Sequence, residues 1–212
     1  MDRAPAPGGN HARVSAMRDL EDQLEIGALL QNWALWRDAG EWEKLRTTFH
    51  PDATMTATWY DGPFDQFIEA CQASWRKGSR SQHFLGGTSA EINGGRALAQ
   101  TRMAIMVRGL LDGVEVDVVC HGRFYDRLEK RGGAWRLAKR SVIYEKDRLD
   151  PVESGAKIVL DRALLGRFPE SYCHLAYLQT RNGAKVDPNL PTARGEALER
   201  LLWEAKAWLA AA

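Results

Sequence analysis

Apolar residues in the first part of the chain recur at helical spacing. Between Val14 and Trp36, residues Leu20, Leu24, Ile26, Leu29, Leu30, Trp33 and Trp36 follow the i, i+3, i+4, i+7 template of an amphipathic helix, and Gly40 supplies a left-handed stop. A second short helix, Glu41 to Phe49, presents Trp42, Leu45 and Phe49 on one side before Pro51 and Asp52 end it. Ala53 to Tyr60 is rich in Thr and aromatics, which predicts a strand closed by a turn at Asp61-Gly62-Pro63. Phe64, Phe67, Ile68, Cys71 and Trp75 return to helical spacing as far as the Lys77-Gly78-Ser79 loop. Four strands are then predicted: Arg80 to Ile92, Ala97 to Leu110, Val114 to Glu129 and Trp135 to Lys146. They are joined at Asn93-Gly94-Gly95, Asp112-Gly113 and Gly132-Gly133.

Helices first and an antiparallel meander after them predict an α+β fold, in which N-terminal helices pack on one face of a curved, mostly antiparallel sheet that wraps into a cone-shaped barrel. The mouth of such a cone is the natural place for a ligand. After Asp150-Pro151 the segments shorten. Ile158 to Leu165 and Ser171 to Gln179 read as short helices, Asp187 to Pro191 as a linker, and about Ala193 to Leu209 as a last helix. Its stripe of Leu198, Leu201, Leu202, Ala205, Trp208 and Leu209 has to be covered by the cone or by a neighbouring subunit, so a homo-oligomer, dimer or trimer, is expected. The division is therefore a leader over residues 1–13, the cone domain over 14–150 and a helical extension over 151–212, acting as a lid or a subunit contact.

Composition narrows the partners. The net charge of +1 supplies no basic excess for nucleic acid, and no apolar run approaches the roughly 20 residues that span a bilayer. The leader, with Pro5, Pro7, Gly8 and Gly9, lacks the apolar region of a signal peptide. Cys71, Cys120 and Cys173 are widely spaced with no CxxC pair, which reads as buried thiols in a cytoplasmic protein and argues against a zinc site or a disulfide framework. The eight Trp suit a small hydrophobic substrate.

The candidate chemistry is a carboxylate at an apolar helix end and an imidazole on a strand. Asp38 closes Trp33-Ala34-Leu35-Trp36-Arg37-Asp38, where the helix dipole disfavours negative charge unless a cation or donor faces it. His83, in Ser81-Gln82-His83-Phe84-Leu85-Gly86-Gly87, is the residue type whose titration suits proton abstraction near neutral pH. Tyr60 and Tyr144 could donate to a leaving oxygen, Arg140 could hold an anionic or carbonyl group, and Trp36 and Trp59 could wall a pocket. Strict alternation puts His121 with Glu115, Asp117, Arg123 and Tyr125 on the outer face, unless Gly122 marks a bulge that reverses it. His50 reads as a helix-breaking turn residue, and His174 beside Cys173 as packing.

A long helix ending in Leu35-Trp36-Arg37-Asp38, then Phe49-His50-Pro51-Asp52-Ala53, a strand His, and Gly133-Ala134-Trp135-Arg136-Leu137 near the end of the domain together resemble the SnoaL-like branch of the nuclear transport factor 2 superfamily. The layout is similar to that of the scytalone dehydratase and hexachlorocyclohexane dehydrochlorinase families. That resemblance implies an Asp–His pair, matched here by Asp38 and His83, in a lyase that needs no metal or organic cofactor. A second pocket His on a later strand of the dehydratase has His121 as its candidate counterpart. The superfamily also holds isomerases, aryl-side-chain carbon-carbon lyases and non-catalytic subunits such as those of ring-hydroxylating oxygenases, so the fold does not choose among these activities.

Overall fold

The computed structural model describes residues 8–212, with side chains from residue 17 onward. Helix α1 (Gly8–Ala39) and the short α2 (Trp42–Arg46) precede a hairpin of β1 (Phe49–Ala57) and β2 (Tyr60–Pro63). Helix α3 (Phe64–Arg76) leads into a meander of β3 (Ser81–Asn93), β4 (Arg96–Leu111), β5 (Val114–Arg131) and β6 (Ala134–Pro151). The chain closes with α4 (Arg162–Leu165), α5 (Cys173–Arg181) and α6 (Glu196–Ala210). The α+β class holds. The strands form one six-stranded curved sheet in the order β2-β1-β6-β5-β4-β3, open at both edges and not closed into a barrel. All neighbours are antiparallel except β1, which runs parallel to β6.

Alternation on the long strands sorts the two faces. On β5, Val116, Val118, Cys120, Phe124 and Leu128 are buried on the inner face, while Glu115, Asp117, His121 and Arg123 point to the other. The inner face is covered by three helices. Trp33 of α1 meets Phe124 edge-on, Phe64 of α3 stacks on Phe49, and Tyr172 beside α5 packs on Tyr144. Helix α6 lies on the outer face, where Leu201, Ala205 and Leu209 bury Leu98, Tyr125 and Ile143. The chain's own sheet thus covers the stripe that suggested a neighbouring subunit.

Several local expectations shift. Leu20 and Leu24, placed in the apolar stripe of α1, are exposed, and the buried stripe is Ile26, Leu30, Trp33 and Ala34. Residues 1–7 of the expected leader lie outside the described residues, and α1 takes in 8–13. The turn after β1 falls at Thr58-Trp59, before the Asp61-Gly62-Pro63 signal. Bonds from distant segments hold it there: the Thr58 N–H donates to the Tyr144 hydroxyl at 3.1 Å, and the Thr58 carbonyl accepts from Asp187 N–H at 3.0 Å. His50 is not a turn residue. It lies buried in β1, its Nε2 2.9 Å from the Glu129 carbonyl.

Candidate active site

Helix α1 ends where the sequence stops it. Gly40 adopts φ 73°, and the Glu41 N–H reaches back to the Trp36 carbonyl at 2.9 Å, a Schellman closure that needs a residue at ease in the left-handed region. A Cβ on Gly40 would also meet the Trp75 ring at 3.1 Å. This closure leaves Asp38 in the last turn, facing β3.

β3 is an edge strand, so part of its backbone N–H groups faces away from β4. Asp38 Oδ2 accepts the N–H of His83 at 2.5 Å, and Oδ1 lies 2.7 Å from His83 Nδ1. A carboxylate only accepts, so Nδ1 carries the proton and Nε2 of the neutral ring keeps its lone pair. One acid thereby ties down the strand and sets the tautomer. The glycines at 86 and 87 shape the strand beyond it. Both stand opposite Arg102 in a bulge, so that His83 and Leu85 before it and Thr88, Ala90 and Ile92 after it all turn to the inner face.

The His83 side chain is 9% exposed. Its pKa lies below the ordinary imidazole value: burial pushes it down, the Asp38 hydrogen bond and charge oppose this, and Arg37 and Arg140 add to the depression. The ring is therefore neutral at pH 7. It sits edge-on to Trp33 with centroids 5.3 Å apart and near Phe124 at 6.3 Å. Arg140 completes this cluster, its guanidinium carbon 4.2 Å from the Trp33 ring and 4.0 Å from the Phe124 ring. Fully buried Asp126 neutralises it through two bonds, Nε to Oδ1 at 2.8 Å and Nη2 to Oδ2 at 2.7 Å. Burial pushes the Asp126 carboxyl up and Arg140 opposes that rise. Arg140 Nη1 and Trp33 Nε1 are buried donors without a hydrogen-bond partner among the described residues. Such donors are costly unless something accepts from them.

The other candidates sit elsewhere. The Tyr60 hydroxyl donates to the Pro63 carbonyl at 2.5 Å, and Trp59 stacks on Phe67. Tyr144 is buried at Thr58 and Tyr172, and burial pushes its hydroxyl far above the usual phenol range. Trp36 is half-buried against the core. His121 stays on the outer face: the register shift beside Gly122 places the extra residue, Glu145, on β6, and β5 keeps its alternation. Asp126 and Phe124 were missed by sequence reasoning, although both share inner parity with Cys120, a signal that alternation carries. One surface cleft runs between α1 and β3, lined by Leu20, Leu24, Gln31, Gly87 and Ala90 among others, and another lies at His50, Phe64 and Arg136. Neither is lined by His83 or Asp38.

Residues 18–141, more than half of the chain, match the SnoaL-like domain. The chain belongs to the SnoaL-like family. Pea pathogenicity protein 2 of Fusarium vanettenii is 35% identical over 199 residues, covering 89% of this chain and 85% of that protein. Among solved structures, a putative scytalone dehydratase from Novosphingobium aromaticivorans superposes with TM-score 0.52 at 14% identity, covering 68% of this chain and 96% of that one. LinA superposes with TM-score 0.55 at 17% identity, covering 69% and 99%. At these identities the solved structures share the fold with this SnoaL-like chain. The fold is compatible with lyase-type activity, and a choice of reaction has to come from the site itself.

Proposed function

We propose that this SnoaL-like protein is a cofactor-independent lyase that eliminates a proton and a vicinal leaving group from a small hydrophobic, cyclic or aromatic substrate. The observation that carries the reading is the 2.7 Å contact between His83 Nδ1 and Asp38, which leaves Nε2 as the free base in a water-poor setting. Nε2 takes the proton from carbon, the C–H electron pair becomes the new π bond, and the leaving group departs with its own bonding pair. Asp38 stabilises the imidazolium so formed. Arg140 Nη1, a buried donor with no acceptor among the described residues, shares the Trp33 ring with His83 and is better disposed to assist departure than Tyr60, whose hydroxyl already donates to Pro63, or Tyr144, which packs on Tyr172. General-base catalysis supplies about 10² to 10⁴-fold.

Incubation with a panel of cyclic alcohols and halides, with product analysis by mass spectrometry, tests this. His83→Ala and Asp38→Asn are expected to lower turnover by at least about a hundredfold, and near-normal turnover in both variants would overturn the proposal. A second reading, a non-catalytic binding or assembly subunit, is favoured by the position of the two clefts, neither of which is lined by the pair. It expects no turnover of any panel member by the wild type.

A further inference from the structure

Beyond Arg140 along β6, Asp147 meets the first two residues of α5. Its Oδ1 lies 2.8 Å from His174 Nδ1, and Cys173 Sγ is 3.5 Å from that same nitrogen and 3.8 Å from that same oxygen. Among the described residues these three form the group of His, Cys and acidic side chains whose donor atoms converge. The Asp147 side chain is fully buried and Cys173 nearly so, whereas His174 reaches the surface. Sequence spacing hides the cluster, because Asp147 stands 26 residues before Cys173 on another element.

Two bland readings do not account for it. Asp147 Oδ2 already anchors α5 by accepting the Leu175 N–H at 2.7 Å, and although Oδ1 accepts from His174 and the Cys173 thiol has the Glu170 carbonyl at 3.7 Å, neither bond requires the thiol, the ring nitrogen and Oδ1 to meet at one point. A thiol–imidazole–carboxylate relay would place Cys and Asp on opposite ring nitrogens, and here both face Nδ1. Burial also pushes the Cys173 thiol up to about 11, the opposite of an activated nucleophile.

Three donor atoms mutually within contact distance describe one face of a coordination polyhedron. Tetrahedral zinc, with Zn–S of about 2.3 Å and Zn–N and Zn–O of about 2.0 Å, sets S···N and S···O edges of about 3.5 Å and an N···O edge of about 3.3 Å. Against the observed edges of 3.5, 3.8 and 2.8 Å, the S···N side already fits, the N···O side opens by about 0.5 Å and the S···O side closes by about 0.3 Å when a metal replaces the shared proton. We propose that Asp147 Oδ1, Cys173 Sγ and His174 Nδ1 bind a single zinc-class divalent ion that fastens α5 to β6. The mixed thiolate, imidazole and carboxylate set selects zinc or cobalt over magnesium and calcium. With three protein ligands and a partly exposed imidazole, water takes the fourth position. The imidazole proton moves to Nε2 and the thiol proton leaves to solvent, so one proton is released per ion bound.

The test titrates the full chain, first stripped with chelator, with Co²⁺ and then with Zn²⁺. The expected result is a thiolate-to-cobalt charge-transfer band that saturates at one equivalent, disappears on addition of Zn²⁺ and is absent from Cys173→Ser, with cobalt binding at least about tenfold weaker in His174→Ala. Absence of the band in the wild type, or its survival in Cys173→Ser, overturns the site. Asp147 is left unaltered because it also anchors Leu175, and circular dichroism checks the fold of both variants. If Cys173→Ser unfolds, Cys173→Ala takes its place, with the same expected loss of the band and the same overturning result if the band survives.

Discussion

Asp38→Asn exposes the logic of the site without requiring a substrate. Asn keeps one acceptor and gains one donor. The remaining oxygen continues to accept the His83 N–H, which stands 2.5 Å from the carboxylate in the wild type, while the new NH₂ faces Nδ1 and can only be satisfied if that nitrogen gives up its proton. The ring therefore switches to the Nε2–H tautomer. Both bonds to the carboxylate, each charge-assisted and worth about 1.5–3 kcal/mol, become neutral bonds of about 0.5–1.5 kcal/mol; since the Asp38 side chain is 19% exposed, the expected loss of stability is at the lower end, about 2 kcal/mol. Asp38 was also the influence holding the His83 pKa up against burial, so the variant's ring titrates at still lower pH than the wild type's. Long-range ¹H–¹⁵N correlation of the histidine side chains reads tautomer and titration together. The wild type should show Nδ1–H and the variant Nε2–H, with the variant's midpoint displaced toward acid. A wild-type ring already protonated at Nε2, or identical tautomers and midpoints in the two proteins, would refute the reasoning.

The depressed His83 pKa fixes the sign of a stability effect. Between that pKa and the unfolded value near 6.5 the unfolded chain binds more protons, so this contribution is fully present above about 6.5 and is lost as pH falls. The stability of the wild type relative to His83→Phe should thus fall between neutral pH and pH of about 5, measured by urea unfolding at each pH; a difference independent of pH would count against the depression. Asp126→Leu strands the buried Arg140 charge and should cost about 3–5 kcal/mol, most of it recovered when Arg140→Met is added. Denaturant midpoints of both proteins provide the check, and a double variant no more stable than the single one would contradict the pairing.

What the sequence carried and what it hid follow from the range of the interactions. Gly94, Gly113, Gly132 and Gly133 all take positive φ at the hairpin turns, so the meander is written locally. Asp38 was legible as a carboxylate at a helix stop and His83 as a strand imidazole, while their pairing was an expectation carried by the resemblance to the SnoaL-like layout; in the structure they stand 2.7 Å apart. The Arg140–Asp126 pair was half legible. The partners sit 14 residues apart on neighbouring strands, and their meeting depends on a register set by the extra residue Ala138, between Arg127↔Lys139 and Leu128↔Leu137. Thr58-Trp59 contains no turn former, and its turn is held from Tyr144 and Asp187. Leu20 and Leu24 keep helical spacing with the core residues but line an open cleft between α1 and β3, while Asp22 and Glu25 of the same turns bond to Lys130 and Trp135, so periodicity alone counted them inside.

The carboxylate that orients the imidazole also holds a main-chain amide on the free edge of the sheet. Any event that loosens Asp38, whether protonation, substitution or displacement by a ligand, frees that amide to exchange with solvent. The His83 N–H is thereby a built-in gauge: the rate at which one hydrogen leaves the edge of β3 measures how much of the time the acid and the ring are together.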